Sequence, residues 1–149
     1  MSREQNNKAL LDRWFTEFWG KCWNPGVVDE LCAPDMLLQY LLQAPHRGRT
    51  DVRTFMTELR EAFPDMSAAP ITSLIVEGGY AVGRWEGGGT HTGPAYSDFL
   101  VGCLPAASGE KMRFTGTTVL RVEDGRITEQ IGLDDRVTAL LQLGLTGTA

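Results

Sequence analysis

The sequence predicts an α+β fold: helices at the N-terminal end held inside a strongly bent antiparallel sheet, together forming a cone. Three observations predict it. Up to Phe63, most apolar residues recur at helical spacing. Beyond Ala69 the chain turns to runs rich in β-branched and aromatic residues, broken by glycine turns. Near the end, Met112 to Val122 and Arg126 to Leu133 flank Asp124-Gly125, residues that adopt the positive φ angles of a tight hairpin.

Each element has its own cause. Ser2 and Gln5 have capping-box spacing, and Leu10, Leu11, Trp14, Phe15, Phe18 and Trp19 form the apolar stripe of a first helix ended by Gly20. Asn24 and Pro25 open a short second helix with Val28 and Leu31 buried, and Ala33-Pro34 ends it. Met36 to Gln43 reads as a strand and Pro45 to Arg49 as a loop. Thr50 caps a third helix with an apolar face of Val52, Phe55, Met56, Leu59 and Phe63, stopped by Pro64. Strands are expected at Ala69 to Glu77, Tyr80 to Glu86 and Tyr96 to Leu104. Gly87-Gly88-Gly89 is expected to be a bulge or bend. After the hairpin, Asp134-Asp135 leads into a small helix carrying Val137, Leu140 and Leu141, with Gly144 as its stop.

The 149 residues are expected to form one domain, large enough for a single real core. A net charge of −5 with no basic run argues against nucleic acid and anionic membranes as partners. No apolar stretch is long enough to span a bilayer, and the N-terminus reads as a polar helix start, not a secretory leader. Cys22, Cys32 and Cys103 are odd in number and widely spaced, as expected of reduced thiols in a cytoplasmic protein. With two histidines and no paired cysteines, no metal site is expected.

Several segments carry a family likeness: Ala62-Phe63-Pro64-Asp65, Gly89-Thr90-His91-Thr92-Gly93, Phe114-Thr115-Gly116, Val122-Glu123-Asp124-Gly125-Arg126-Ile127 and Leu140-Leu141-Gln142-Leu143-Gly144. In this order and spacing the chain resembles the SnoaL-like polyketide cyclases of the nuclear transport factor 2-like superfamily. That resemblance implies an α+β cone with a deep apolar pocket, usually in a dimer or higher assembly, and a homodimer is expected here. It also implies a cofactor-free aldol cyclisation of polyketide esters, with a pocket Asp as acid/base. Two positions depart from the pattern: the founding Asp falls at Gly132 and a supporting His near Leu120. Limonene-epoxide hydrolases share the cone and hold a water with an Arg-x-Asp pair, which Arg84-Trp85-Glu86 resembles.

The catalytic candidates are therefore Asp134, His91, Arg84 and Glu86. Asp135 is expected to cap the last helix, while Asp134 shares a strand face with Gln130 and Gly132 and so faces the pocket if Gly132 does. An apolar pocket raises a carboxyl pKa and suits it to proton transfer. His91 is either a structural turn residue or a functional one, an acid/base or a donor to an enolate oxygen. Arg84 and Glu86 share one strand face, opposite to Trp85; whichever face is inward, the other is solvated. Phe15, Trp19, Met56, Phe63, Trp85 and Phe114 are candidates for the pocket wall, and one of Gln39 and Tyr40 should face inward. The expected activity is cofactor-free cyclisation or isomerisation of a hydrophobic carbonyl compound. A non-catalytic binding cone and an epoxide or ester hydrolase are the alternatives.

Overall fold

A computed structural model describes residues 2–40, 43–99 and 102–145, apart from the side chains of residues 98, 99, 102 and 103. The Cys103 thiol and residues 41 and 42 of the expected Met36 to Gln43 strand lie outside it. The chain order is α1 (Arg3–Trp14), a π-helical turn (Phe15–Trp19), α2 (Val27–Leu31), β1 (Cys32–Tyr40), β2 (His46–Arg47), α3 (Arg49–Ala62), β3 (Ser67–Pro70), β4 (Ile75–Glu77), β5 (Tyr80–Thr90), β6 (Tyr96–Phe99), β7 (Gly102–Leu104), β8 (Lys111–Glu123), β9 (Arg126–Asp134) and α4 (Arg136–Gln142). The main sheet runs β2-β1-β9-β8-β5-β3, with β4 also on β5, and does not close on itself. Helices α1 to α3 fill its concave side, and one core cluster joins them to the sheet.

The capping box is formed: Ser2 Oγ accepts from the Gln5 amide at 3.1 Å and Gln5 Oε1 from the Ser2 amide at 2.8 Å. The first helix is not α-helical to its end. Across Phe15–Trp19 it widens to a π turn before extended Gly20, where a Cβ would stand 2.7 Å from Thr16 O. At α-helical pitch, residues five apart point about 140° apart; the wider turn brings Trp14 and Trp19 onto one side.

Several expectations are corrected. Thr50 does not cap the third helix, whose N-cap is Gly48, and Asn24 does not cap the second, whose N-cap is Gly26. Tyr96 to Leu104 is two paired strands, β6 and β7. Ala33-Pro34 lies inside β1, which begins at Cys32. Ala69 to Glu77 is two short strands, β3 and β4, with a break between. The sheet is not wholly antiparallel, because β1 pairs parallel to β9. Gly87-Gly88-Gly89 forms no bulge: β5 stays in register with β8 from Tyr80↔Arg121 to Thr90↔Lys111. The three glycines are instead packing adaptations, since a Cβ at Gly87 would meet Ala68 Cβ at 2.7 Å.

The β8–β9 hairpin turns at Asp124 and Gly125, at φ 50° and 72°. On α4 the buried side is Arg136, Ala139 and Leu140, while Val137 and Leu141 are exposed. Among the described residues no helix is long and apolar enough to cross a membrane.

Candidate active site

Six aromatic rings line a cavity between the helices and the concave face of the sheet, and five of them form a chain. Phe55 (α3), Trp19 (π turn), Tyr40 (end of β1), Trp85 (β5) and Phe114 (β8) follow one another edge to face, with centroids 6.3, 5.7, 6.1 and 5.5 Å apart. Such T-shaped contacts suit the ring quadrupoles and fix ring orientation. Phe15, Leu59, Met66 and Met112 complete the apolar wall, and the cavity holds about 610 Å³ of empty space, its open mouth included.

One end of this apolar space is charged. Asp134, the last residue of β9, is inward because β9 alternates: Gln130 and Gly132 are buried while Ile131 and Leu133 are exposed. Its side chain is only 1% exposed, and that of Arg136 6%. Arg136 Nη2 donates to Asp134 Oδ2 at 2.5 Å, Arg136 Nε donates to Oδ1 at 3.2 Å, and Nη2 also reaches Gln43 Oε1 at 3.2 Å. The guanidinium lies over the Phe114 ring, 5.6 Å from its centroid. Burial raises the Asp134 carboxyl above its ordinary range; Arg136 opposes this without cancelling it.

Behind the cavity wall runs a second polar set. Gln130, fully buried, accepts at Oε1 from Trp14 Nε1 (2.8 Å) and Trp19 Nε1 (3.1 Å), the convergence that the π turn permits. Gln130 Nε2 donates to Tyr40 OH at 2.8 Å, which leaves the phenol to donate to Thr118 Oγ1 at 2.5 Å. Burial pushes the Tyr40 phenol up to about 12, so it remains a neutral donor. The Tyr40 ring also occupies the space over Gly132: a Cβ there would lie 2.1 Å from Tyr40 Cε1.

The four catalytic candidates are thus separated. Asp134 lies in the cavity wall. Arg84 is exposed and Glu86 half-buried on the outer face, where Glu86 accepts from Arg113 Nε at 2.7 Å; continuous β5 register puts Trp85 inside instead. His91 is fully buried but is not part of the cavity wall. Its Nε2 lies 2.6 Å from Pro94 O and therefore donates, and Nδ1 accepts from Ser108, whose Oγ is at 2.7 Å. Both ring nitrogens are thus engaged within the turn.

Of the wall candidates, Phe15, Trp19, Tyr40, Trp85 and Phe114 line the cavity. Met56 and Phe63 are buried in the core outside the cavity wall, Phe63 against His91, and Gln39 is exposed because it alternates with Tyr40. Asp135 Oδ1 accepts from the Thr138 amide at 3.2 Å and Oδ2 from Thr138 Oγ1 at 2.6 Å, capping α4. Arg136 and Gln43 went unpredicted. An arginine in the first turn of a short helix reads as solvated, and only the packing of α4 beside β8 buries it.

Solved structures share this architecture. A protein from Jannaschia sp. CCS1, assigned as a SnoaL-like polyketide cyclase, superposes with a TM-score of 0.80 at 21% identity, covering 99% of this chain and 98% of that one. IdmH from Streptomyces antibioticus, assigned as a polyketide cyclase, gives 0.67 at 26%, covering 96% and 99%. An epoxide hydrolase of M. tuberculosis, resembling limonene-epoxide hydrolase, gives 0.71 at 12%, covering 95% and 92%. No curated protein matches at the sequence level. A family model for the SnoaL-like polyketide cyclases matches residues 9–143, and with the cone geometry this places the chain in the SnoaL-like polyketide cyclase family.

Proposed function

We propose that this protein is a cofactor-independent cyclase or isomerase that moves a proton at a carbon next to a carbonyl of a flat, hydrophobic small molecule. The observation that carries this is the Asp134 carboxylate, 1% exposed at the end of an aromatic-lined cavity and raised in pKa by that burial. A desolvated carboxylate is a stronger base than one in water, and a base of raised pKa suits proton transfer near neutral pH. Arg136 opposes that rise and sets a cation beside the place where enolate charge develops.

In the reaction, an Asp134 oxygen takes the proton from the carbon α to the carbonyl. The C–H pair moves into the enolate, whose oxygen faces the Arg136 guanidinium. The enolate carbon then attacks a second carbonyl of the same molecule, whose C=O π pair becomes an alkoxide that takes the proton back from Asp134, or is reprotonated at another position by Asp134. No electrons leave the substrate, so no redox partner is required. The ring belt from Phe55 to Phe114 stacks the substrate and excludes water.

This assigns Asp134 the acid/base role carried in the founding enzymes by the residue at Gly132, one inward-facing position earlier on β9. Tyr40 fills the space over that glycine. The cyclase reading is favoured over a hydrolase built on Arg84, Glu86 and Asp134 because Arg84 is exposed and Glu86 pairs with Arg113 on the outer face.

A panel of aromatic β-keto methyl esters in D₂O tests the proposal, with α-proton exchange and ring closure followed by NMR. Wild type should accelerate exchange, and Asp134→Asn should lose about 10² to 10⁴ of that acceleration. Esters that bind but exchange at the solvent rate would make the protein a non-catalytic binding cone.

The working unit is a homodimer joined through the outer face of the sheet. Ile75, Val82, Val119 and Ile131 are cross-strand neighbours in one row over β4, β5, β8 and β9, exposed at 71, 36, 42 and 42%. A second copy covers such a row better than water does.

A further inference from the structure

We infer that the indole N–H of Trp85 is the cavity's reader of a carbonyl oxygen, so that the site selects a flat ring system bearing a ketone or ester over the same skeleton without one. The inference rests on the proposed carbonyl chemistry of the cavity and names the group that recognises it.

Two cavity-wall indoles have opposite fates. Trp19 Nε1 is satisfied by Gln130 at 3.1 Å. Trp85 is equally buried, at 7% exposure, yet its Nε1 has no hydrogen-bond partner among the described residues. Buried indole N–H groups find partners as a rule, so one left unpaired on a residue of the cavity wall calls for a partner that the described residues do not supply.

The orientation is built, not accidental. On β8, opposite Trp85, stands Gly116. A Cβ there would lie 2.3 and 2.6 Å from Trp85 Cζ2 and Cε2, and 2.9 Å from Asp134 Cβ. Any side chain at Gly116 would force the indole off this position. The missing side chain thus lets the Cζ2–Cε2 edge of the indole lie over Gly116, the residue that also pairs with Asp134 on β9. Tyr40 and Phe114 hold the indole from either side, edge to face. Trp85, Asp134 and Arg136 all line the same cavity, and Gly116 is the strand partner of both Trp85 and Asp134.

The test compares 2-acetylnaphthalene with 2-ethylnaphthalene, which match in shape and differ in the carbonyl. In ¹⁵N-labelled protein the Trp85 indole peak is assigned by its loss in Trp85→Phe. The ketone should bind about tenfold more tightly than the hydrocarbon, the value of one hydrogen bond to an otherwise unpaired donor, and should move the Trp85 indole proton downfield. The hydrocarbon should leave it in place. In Trp85→Phe, with folding checked by near-ultraviolet circular dichroism, the two affinities should become equal. Equal affinities in wild type, an unmoved indole proton, or a ketone preference that survives in Trp85→Phe would overturn the inference. Any of these, found alongside Asp134-dependent exchange, would leave the acid/base proposal standing. Failure of both compounds to enter the cavity would remove the two together.

Discussion

At the scale of the residue, the site depends on a carboxylate placed where water does not reach. Asp134 and Arg136 form a buried pair, and such a pair is costly to break from one side. Arg136→Met should lower stability by about 3 to 5 kcal/mol in urea melts, whereas Asp134→Leu combined with Arg136→Met should recover most of that loss. The pH dependence has a definite sign. Asp134 holds its proton more tightly folded than unfolded, so its contribution to stability is fully present below the ordinary Asp pKa. That contribution is lost as pH rises through the raised folded value. Asp134→Asn should therefore remove a falling limb above the ordinary carboxylate range from the stability–pH curve, read by urea midpoints. Gly132 and Tyr40 are coupled by shape: Gly132→Ala should cost about 1 to 3 kcal/mol by overpacking, and less in a Tyr40→Ala background. Asp134 was legible as inward because strand alternation from Gln130 sufficed. Arg136 was not, because one residue past the strand its direction is set by how α4 packs.

At the scale of the element, two local irregularities shape the cavity. The π turn swings Phe15 and Trp19 to the cavity and lets Trp14 and Trp19 share Gln130. Nothing in the spacing of Trp14, Phe15, Phe18 and Trp19 distinguishes a π turn from an α turn, so a plain helical stripe is all the sequence shows. Gln130→Leu should leave two buried indole N–H groups unpaired and destabilise the protein by about 3 kcal/mol in denaturant titrations. On β5 the difficulty was parity. Arg84, Trp85 and Glu86 have a readable alternation, but which face is inward depended on whether the three glycines held a bulge. Their continuous register with Phe114, Arg113 and Met112 on β8 fixed Trp85 inside. The parallel pairing of β1 with β9 was equally hidden, since strand direction between chain-distant segments leaves no local mark.

At the scale of the whole molecule, the cone was the most legible feature, because periodicity, turn residues and the order of segments all pointed to it. The proposed homodimer follows from the outer face. Val119→Lys or Ile131→Lys should shift the protein from dimer to monomer by light scattering while leaving the fold intact, since both side chains point away from the core. The aromatic cavity and the charged pair at its end serve one purpose in this account: to hold a carboxylate that is basic because it is dry. The most direct measurement is a ¹³C-detected NMR titration of the Asp134 carboxyl, assigned by comparison with Asp134→Asn. A midpoint above the ordinary Asp range is predicted, together with loss of that resonance in the variant. A midpoint at or below the ordinary value would show a carboxylate fixed by Arg136 as a structural anion, and would contradict its assignment as the base.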